Sequence, residues 1–190
     1  MNSESYSCVM KSVWSLAGGG LSQLTIEGIS HASGVSLAEI RALFPEQYHI
    51  VLAIIEDIKR QVNMPATDSR LSPRDQIFDA IMMCFDTVQP HRLAIKRLYL
   101  DVIWKPGLLM RLLPSLSSLG QGISRRYLAK GKAMNAAQEL ALNGAFIYAL
   151  HTFVDDESFD LSPTMASLDS ALKLVDDLSH SCRQFCTISK

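Results

Sequence analysis

No stretch of this sequence is both long enough and apolar enough to cross a bilayer. The longest uncharged apolar run, Leu140 to Val154, is 15 residues, against the ~20 that a spanning helix needs. The opening residues MNSESYS are polar and acidic, without the basic start and apolar core of a secretory signal. Cysteine is scarce and scattered, at Cys8, Cys84, Cys182 and Cys186, which excludes a disulfide framework and leaves free thiols as the expected state. These absences together predict a soluble, cytoplasmic protein.

Catalytic and cofactor motifs are missing too. Gly18-Gly19-Gly20 is not followed by the lysine and hydroxyl of a phosphate loop. The five histidines, His31, His49, His91, His151 and His180, are far apart, and none has a carboxylate or nucleophile at helical spacing. Cys182 and Cys186 stand four apart near His180, but a closed zinc site needs a fourth ligand, so they read as incidental thiols in a tail. The acidic loop Asp155 to Asp160 lacks the glycine and terminal glutamate of a calcium loop and reads as a solvated corner. No enzyme, metal or cofactor is implied.

What is present is helical. A chain of 190 residues, 48% apolar and poor in β-branched runs, is enough for an all-α protein with two packed subregions. The organising stretch is TIEGISHASGVSLAEIRALF, residues 25 to 44. Thr25 is placed to cap one helix with Ile26 and Ile29 inward, and Ser36 to cap a second carrying Leu37, Ile40, Leu43 and Phe44. Gly34 supplies the bend between them, where a positive φ is needed. The pattern is a helix-turn-helix, whose second helix reads DNA in such modules. Here that helix offers only Leu37, Ala38, Glu39, Arg41 and Ala42 toward a duplex.

Charge sharpens that contrast. Residues 1 to 60 hold four basic side chains against six acidic ones, so the module should bind DNA weakly and only at low salt. Residues 91 to 132 hold nine basic side chains against Asp101 alone.

In chain order, residues 5 to 17 predict a helix that covers the helix-turn-helix with Val9, Val13, Trp14 and Leu16, stopped by the three glycines. Those glycines predict a flexible connection. Pro45 suits the first turn of a helix that runs to Asn63 with Ile50, Ile54 and Ile58 on one face. Residues 64 to 71 read as a linker, and Ser72-Pro73 as cap and first turn of a helix ended by Pro90. The helix over 91–104 should turn Leu93, Leu98, Tyr99 and Val102 inward. The apolar piece that follows reads as a core helix kinked at Pro114, or as an amphipathic element that meets a membrane surface through 104–126. Residues 135–154 and 163–178 give two further helices whose stripes suit a four-helix dimer interface.

The run from Thr25 through His31-Ala32, Gly34-Val35-Ser36 and Phe44-Pro45 into the helix from Tyr48 resembles the N-terminal domain of the TetR family of transcription regulators. The chain departs from the family's usual residues at Arg41, Ala42 and Gln47. The resemblance implies a TetR-like division, with 1–45 as the DNA-binding part and 46–190 as the ligand-binding and dimerisation part. It implies DNA contacts at Thr25, Ser36, Leu37, Arg41, Gln47 and Tyr48, and a homodimer formed through 135–154 and 163–178. A small hydrophobic ligand, which includes lipids, is expected among Phe78, Met82, Tyr99, Trp104, Phe146 and His151. Residues 154–172, VDDESFDLSPTMASLDSAL, are also similar to the ubiquinone-biosynthesis lipid-binding accessory family, which shares the fold without DNA binding. That similarity implies a lipid-presenting role as the alternative.

Overall fold

The computed structural model describes residues 3–62, 68, 70–127 and 136–188, excepting the side chains of Ser3, Leu119, Ser124, Arg125, Tyr127, Ala136 and 178–188. Most of the expected linker over 64–71, and the side chains of His180, Cys182, Cys186 and Arg125, lie outside the described residues. Among the described residues the fold is all-α: α1 (Ser3–Ala17), α2 (Ile26–Ser33), α3 (Leu37–Leu43), α4 (Gln47–Gln61), α5 (Pro73–Val88), α6 (Arg92–Ile103), α7 (Pro106–Tyr127), α8 (Ala136–Asp155) and α9 (Ser162–Ile188), with a 3-10 turn at Gln89–His91. No described helix is long and apolar enough to cross a membrane.

Contacts group the chain into two compact units, Met1–Gln61 with Thr87–Ser115, and Val62–Asp86 with Leu116–Lys190. The first unit therefore holds α1 to α4, α6 and the start of α7. Its core is Val9 and Val13 of α1, Leu21 and Leu24 of the following loop, Ile29, Ile40, Phe44, Ile50 and Ile54, with Ala94, Leu98 and Leu112 from the later segments. α4 starts at Gln47, so Pro45 stands just before the helix rather than inside its first turn. One unit boundary falls directly after Ser115, inside α7 and next to Pro114, whose missing N–H leaves the Met110 carbonyl without its helical donor.

The glycine run is an ordered loop. Gly19 and Gly20 donate back to Leu16 and Ala17, and Gln23 and Leu24 donate to Gly20 and Leu21. Gly20 sits at φ 80°, and a Cβ there would lie 2.6 Å from Asp101 Oδ2. That oxygen accepts from Leu21 N at 2.7 Å, so a carboxylate on α6 closes the loop. Replacing Gly20 by Ala should cost about 2 kcal/mol or more from the left-handed backbone and the clash. Gly18→Ala, with no close neighbour and no positive φ, should change denaturant-midpoint stability by no more than about 0.5 kcal/mol.

The second unit is built on α5, α8 and α9. Ser72 caps α5: its Oγ accepts from Asp75 N and donates to Asp75 Oδ2. Ile77, Ile81 and Phe85 are buried, and Phe85 stacks on Phe146 and Phe153 of α8 at 5.6 and 5.0 Å between ring centres. α8 and α9 pack on each other, and Ala145 and Ala149 of α8 and Leu168 and Leu172 of α9 are buried. Arg74 of α5 pairs with Asp169 of α9.

The acidic loop differs from expectation. Asp156 is buried, not a solvated corner. Its carboxylate accepts from Ser158 N and Oγ (2.9 and 2.5 Å) and from Thr164 N and Oγ1 (3.0 and 2.6 Å). It thus holds the first turn of α9, while Leu161 takes a left-handed φ of 54° with its side chain buried. Burial pushes the Asp156 carboxyl up, but the hydrogen bonds from Ser158 and Thr164 outweigh it and hold the group below its usual range. Asp156→Ala should cost roughly 2–3 kcal/mol in chemical denaturation at neutral pH. A depressed native pKa gives stability present above the unfolded value and lost as pH falls through the native one, so the gap between the two proteins should narrow below the ordinary aspartate range.

Candidate nucleic-acid interface

The sequence builds the helix-turn-helix locally. Thr25 Oγ1 accepts from Gly28 N at 3.0 Å to cap α2. Gly34 lies at φ 71° and ψ 7° and donates to the Ser30 carbonyl, which ends the helix in a left-handed cap. Ser30 Oγ reaches the Val35 carbonyl at 2.7 Å, and Val35 N donates to Ser33 Oγ at 3.3 Å, so two serines brace the turn. Ser36 caps α3 by accepting from Glu39 N at 3.3 Å while its hydroxyl donates to Glu39 Oε2 at 2.7 Å. Ile29, Ile40 and Phe44 are buried beneath.

The outer surface of α3 is Leu37, Ala38, Glu39, Arg41 and Ala42, all exposed. Arg41, the sole cation of this helix, pairs with Glu27 of α2 at 3.5 Å, both side chains well exposed. Glu39 is held by Ser36. The surface thus carries one guanidinium that any acceptor must share with a carboxylate.

The residues expected to touch DNA divide by environment. Thr25, Ser36, Leu37 and Arg41 are exposed on the α2–α3 surface. Gln47 instead grips the loop before α2, its Nε2 donating to the Leu21 carbonyl at 2.6 Å and to the Leu24 carbonyl at 3.3 Å. Tyr48 is half-buried, with the Arg111 guanidinium 3.6 Å above its ring. Arg111 also makes two hydrogen bonds to Glu46, at 2.7 and 3.1 Å, which hold the Glu46 carboxyl below its usual range. Arg111 lies far along the chain, and no local pattern pairs it with Tyr48.

The expected ligand residues also divide. Phe78, Met82, Phe146 and His151 belong to the second unit, Tyr99 and Trp104 to the first. Trp104 is 83% exposed. A groove of about 380 Å³ beside Phe78 is lined by Arg74, Asp75, Met165, Ala166 and Asp169 as well. In the first unit a groove of about 650 Å³ runs between α1, the end of α4 and the 3-10 turn, and none of the expected ligand residues lines it. There Trp14 stacks on His91 at 4.3 Å, its Nε1 donates to Asp57 at 2.8 Å, and Asp57 also holds Arg60 and Gln61. His91 is 77 residues from Trp14 in the sequence, so only the fold could join them.

Gln47 offers a direct check. Gln47→Ala should lower the thermal stability of the DNA-free protein by about 1 kcal/mol, through the two side-chain hydrogen bonds lost to the loop. A side chain that served DNA alone would leave that stability unchanged.

Comparison with known proteins places these features in a fold. No family model matches the chain, and no curated protein matches it. Among solved structures it is similar to a TetR transcriptional regulator from Rhodococcus sp. RHA1, with a TM-score of 0.62 at 12% identity over 90% of this chain and 94% of that one. The likeness does not extend support to the accessory-family similarity of residues 154–172. The chain has the TetR-like fold, reached at a sequence identity that speaks for architecture alone.

Proposed function

We propose that this protein is a non-enzymatic, TetR-like transcription regulator that binds DNA through α2 and α3 as a homodimer and releases it when a small hydrophobic ligand binds the second unit. The observation that carries this reading is the helix-turn-helix itself: both N-caps, the left-handed Gly34 and an α3 free toward solvent are all in place. The Rhodococcus protein, a regulator by its description, matches along nearly the whole chain rather than over one module.

Dimerisation is supported by what α8 and α9 leave uncovered. Leu140, Ile147 and Tyr148 of α8 and Leu174 of α9 are exposed, a frequency of large apolar side chains that suits a helical partner. For the ligand, the half-buried Phe78, Met82 and Phe146 of the second unit are the favoured set, with the exposed His151 at its edge. Trp104 points to solvent and is not part of that set. Ligand binding would act through the chain where Val62 follows α4, shifting the population of DNA-competent heads. Recognition would be economical: Arg41 as a donor to guanine or phosphate, with Leu37, Ala38 and Ala42 as apolar contacts.

The test is selection of duplexes from a random pool by the full chain at low salt, followed by anisotropy. We expect binding at ~50 mM salt that fades at higher ionic strength. Arg41→Ala should weaken it by about fivefold or more, the loss of one base or phosphate donor per head. Glu27→Gln, which frees Arg41, should strengthen it. Failure to enrich any duplex at low salt would remove the regulator reading.

A further inference from the structure

α6 carries apolar side chains on two faces. Ala94 and Leu98 are buried in the first unit. The other side presents Leu93 (62% exposed), Arg97, Leu100 (41%) and Trp104 (83%), with Ile103 (47%) beside them. The spacing 93, 97, 100, 104 keeps these on one helical stripe, about 16 Å long at 1.5 Å per residue. Leu93 thus faces solvent, contrary to the inward position that its spacing suggests. At the end of the stripe the chain turns at Pro106 into α7, where Lys105 and Met110 (66%) are exposed as well. By contrast Leu112 and Ile123 of α7 are buried, so the exposed apolar surface lies upstream of most of the 104–126 span read from the sequence.

Around this surface cations predominate over carboxylates. Arg92, Arg97 and Lys105 make no ion pair among the described residues. The two nearby carboxylates in the same unit are engaged elsewhere: Asp101 accepts from Leu21 N, and Glu46 is held by Arg111. Scattered apolar residues on a surface need no explanation, but five large ones along one corner do. An exposed Trp among Leu, Ile and Met, with Arg and Lys interleaved, is the composition of a helix that lies in a headgroup layer. Arg97 sits within the apolar stripe, where a protein partner would have to bury its charge; a phosphate layer neutralises it without burial.

We propose that the α6–α7 corner docks on an anionic lipid surface, with Leu93, Leu100, Ile103 and Trp104 entering the interface and Arg97 and Lys105 on lipid phosphates. The contact is peripheral and does not span. It rests on the exposed surface alone and stands whether or not the chain binds DNA.

The test uses the full chain with vesicles of phosphatidylglycerol in phosphatidylcholine, and with phosphatidylcholine alone. Flotation with the anionic vesicles and a blue shift of Trp emission are expected, with little of either on neutral ones. Because Trp104 is exposed, Trp104→Ala should melt as the parent does, abolish the shift and weaken partitioning about tenfold. The Arg97→Ala, Lys105→Ala double variant should weaken it by roughly thirtyfold at physiological salt. Equal binding to both vesicle types, no flotation, or no effect of these changes would overturn the proposal. So would a self-association, read by sedimentation, that Trp104→Ala abolishes, since the corner would then belong to a second copy of the chain.

Discussion

A left-handed backbone at Gly34 sets the crossing of α2 and α3, and the rest of the first unit is arranged to hold that crossing still. Ser30 and Ser33 brace the turn from one side and Ser36 starts the next helix from the other. Beneath it Ile29, Ile40 and Phe44 fill the angle. Hydrogen bonds fix the backbone where polar groups would otherwise be unpaired, and burial fixes the angle, so neither alone would suffice. The loop before α2 is held by a similar division of labour, with Gln47 on its carbonyls and Asp101 on the Leu21 N–H.

Polar side chains in this unit serve architecture to an unusual degree. Gln47, Glu39, Glu46 and Arg111 are the kind of groups from which a DNA-reading module would draw its contacts, yet each is bound within the chain. Arg41 is shared with Glu27. Arg92, Arg97 and Lys105, which make no ion pair among the described residues, stand instead around the α6–α7 corner. Charge so distributed fits the proposed weak duplex binding and the proposed docking of the α6–α7 corner on anionic lipid.

The second unit shows how a polar group can be read correctly for composition and wrongly for role. Asp155 to Asp160 is acidic, and acidic loops are usually solvated. Asp156 nevertheless lies inside, because four donors from Ser158 and Thr164 replace its water. Ser162-Pro163 marks where α9 begins, but Ser162 is the first residue of the helix and not its cap; that a buried carboxylate eight residues before Thr164 would take the N–H of Thr164 is not legible from local spacing.

Residues 25 to 44 determined their own structure: capping hydroxyls, a glycine at the bend and apolar spacing act over a few residues, and short-range forces are legible in sequence. The helical class and the capped start of α5 were legible for the same reason. Contacts between distant segments were not. Arg111 over Tyr48, His91 on Trp14, Asp101 closing the glycine loop and the outward turn of Leu93 each depend on segments that no local spacing relates. Which face of α6 is covered, and which polar side chains remain for a partner, depends on how helices pack, and packing decides that only once the whole chain has closed around its core.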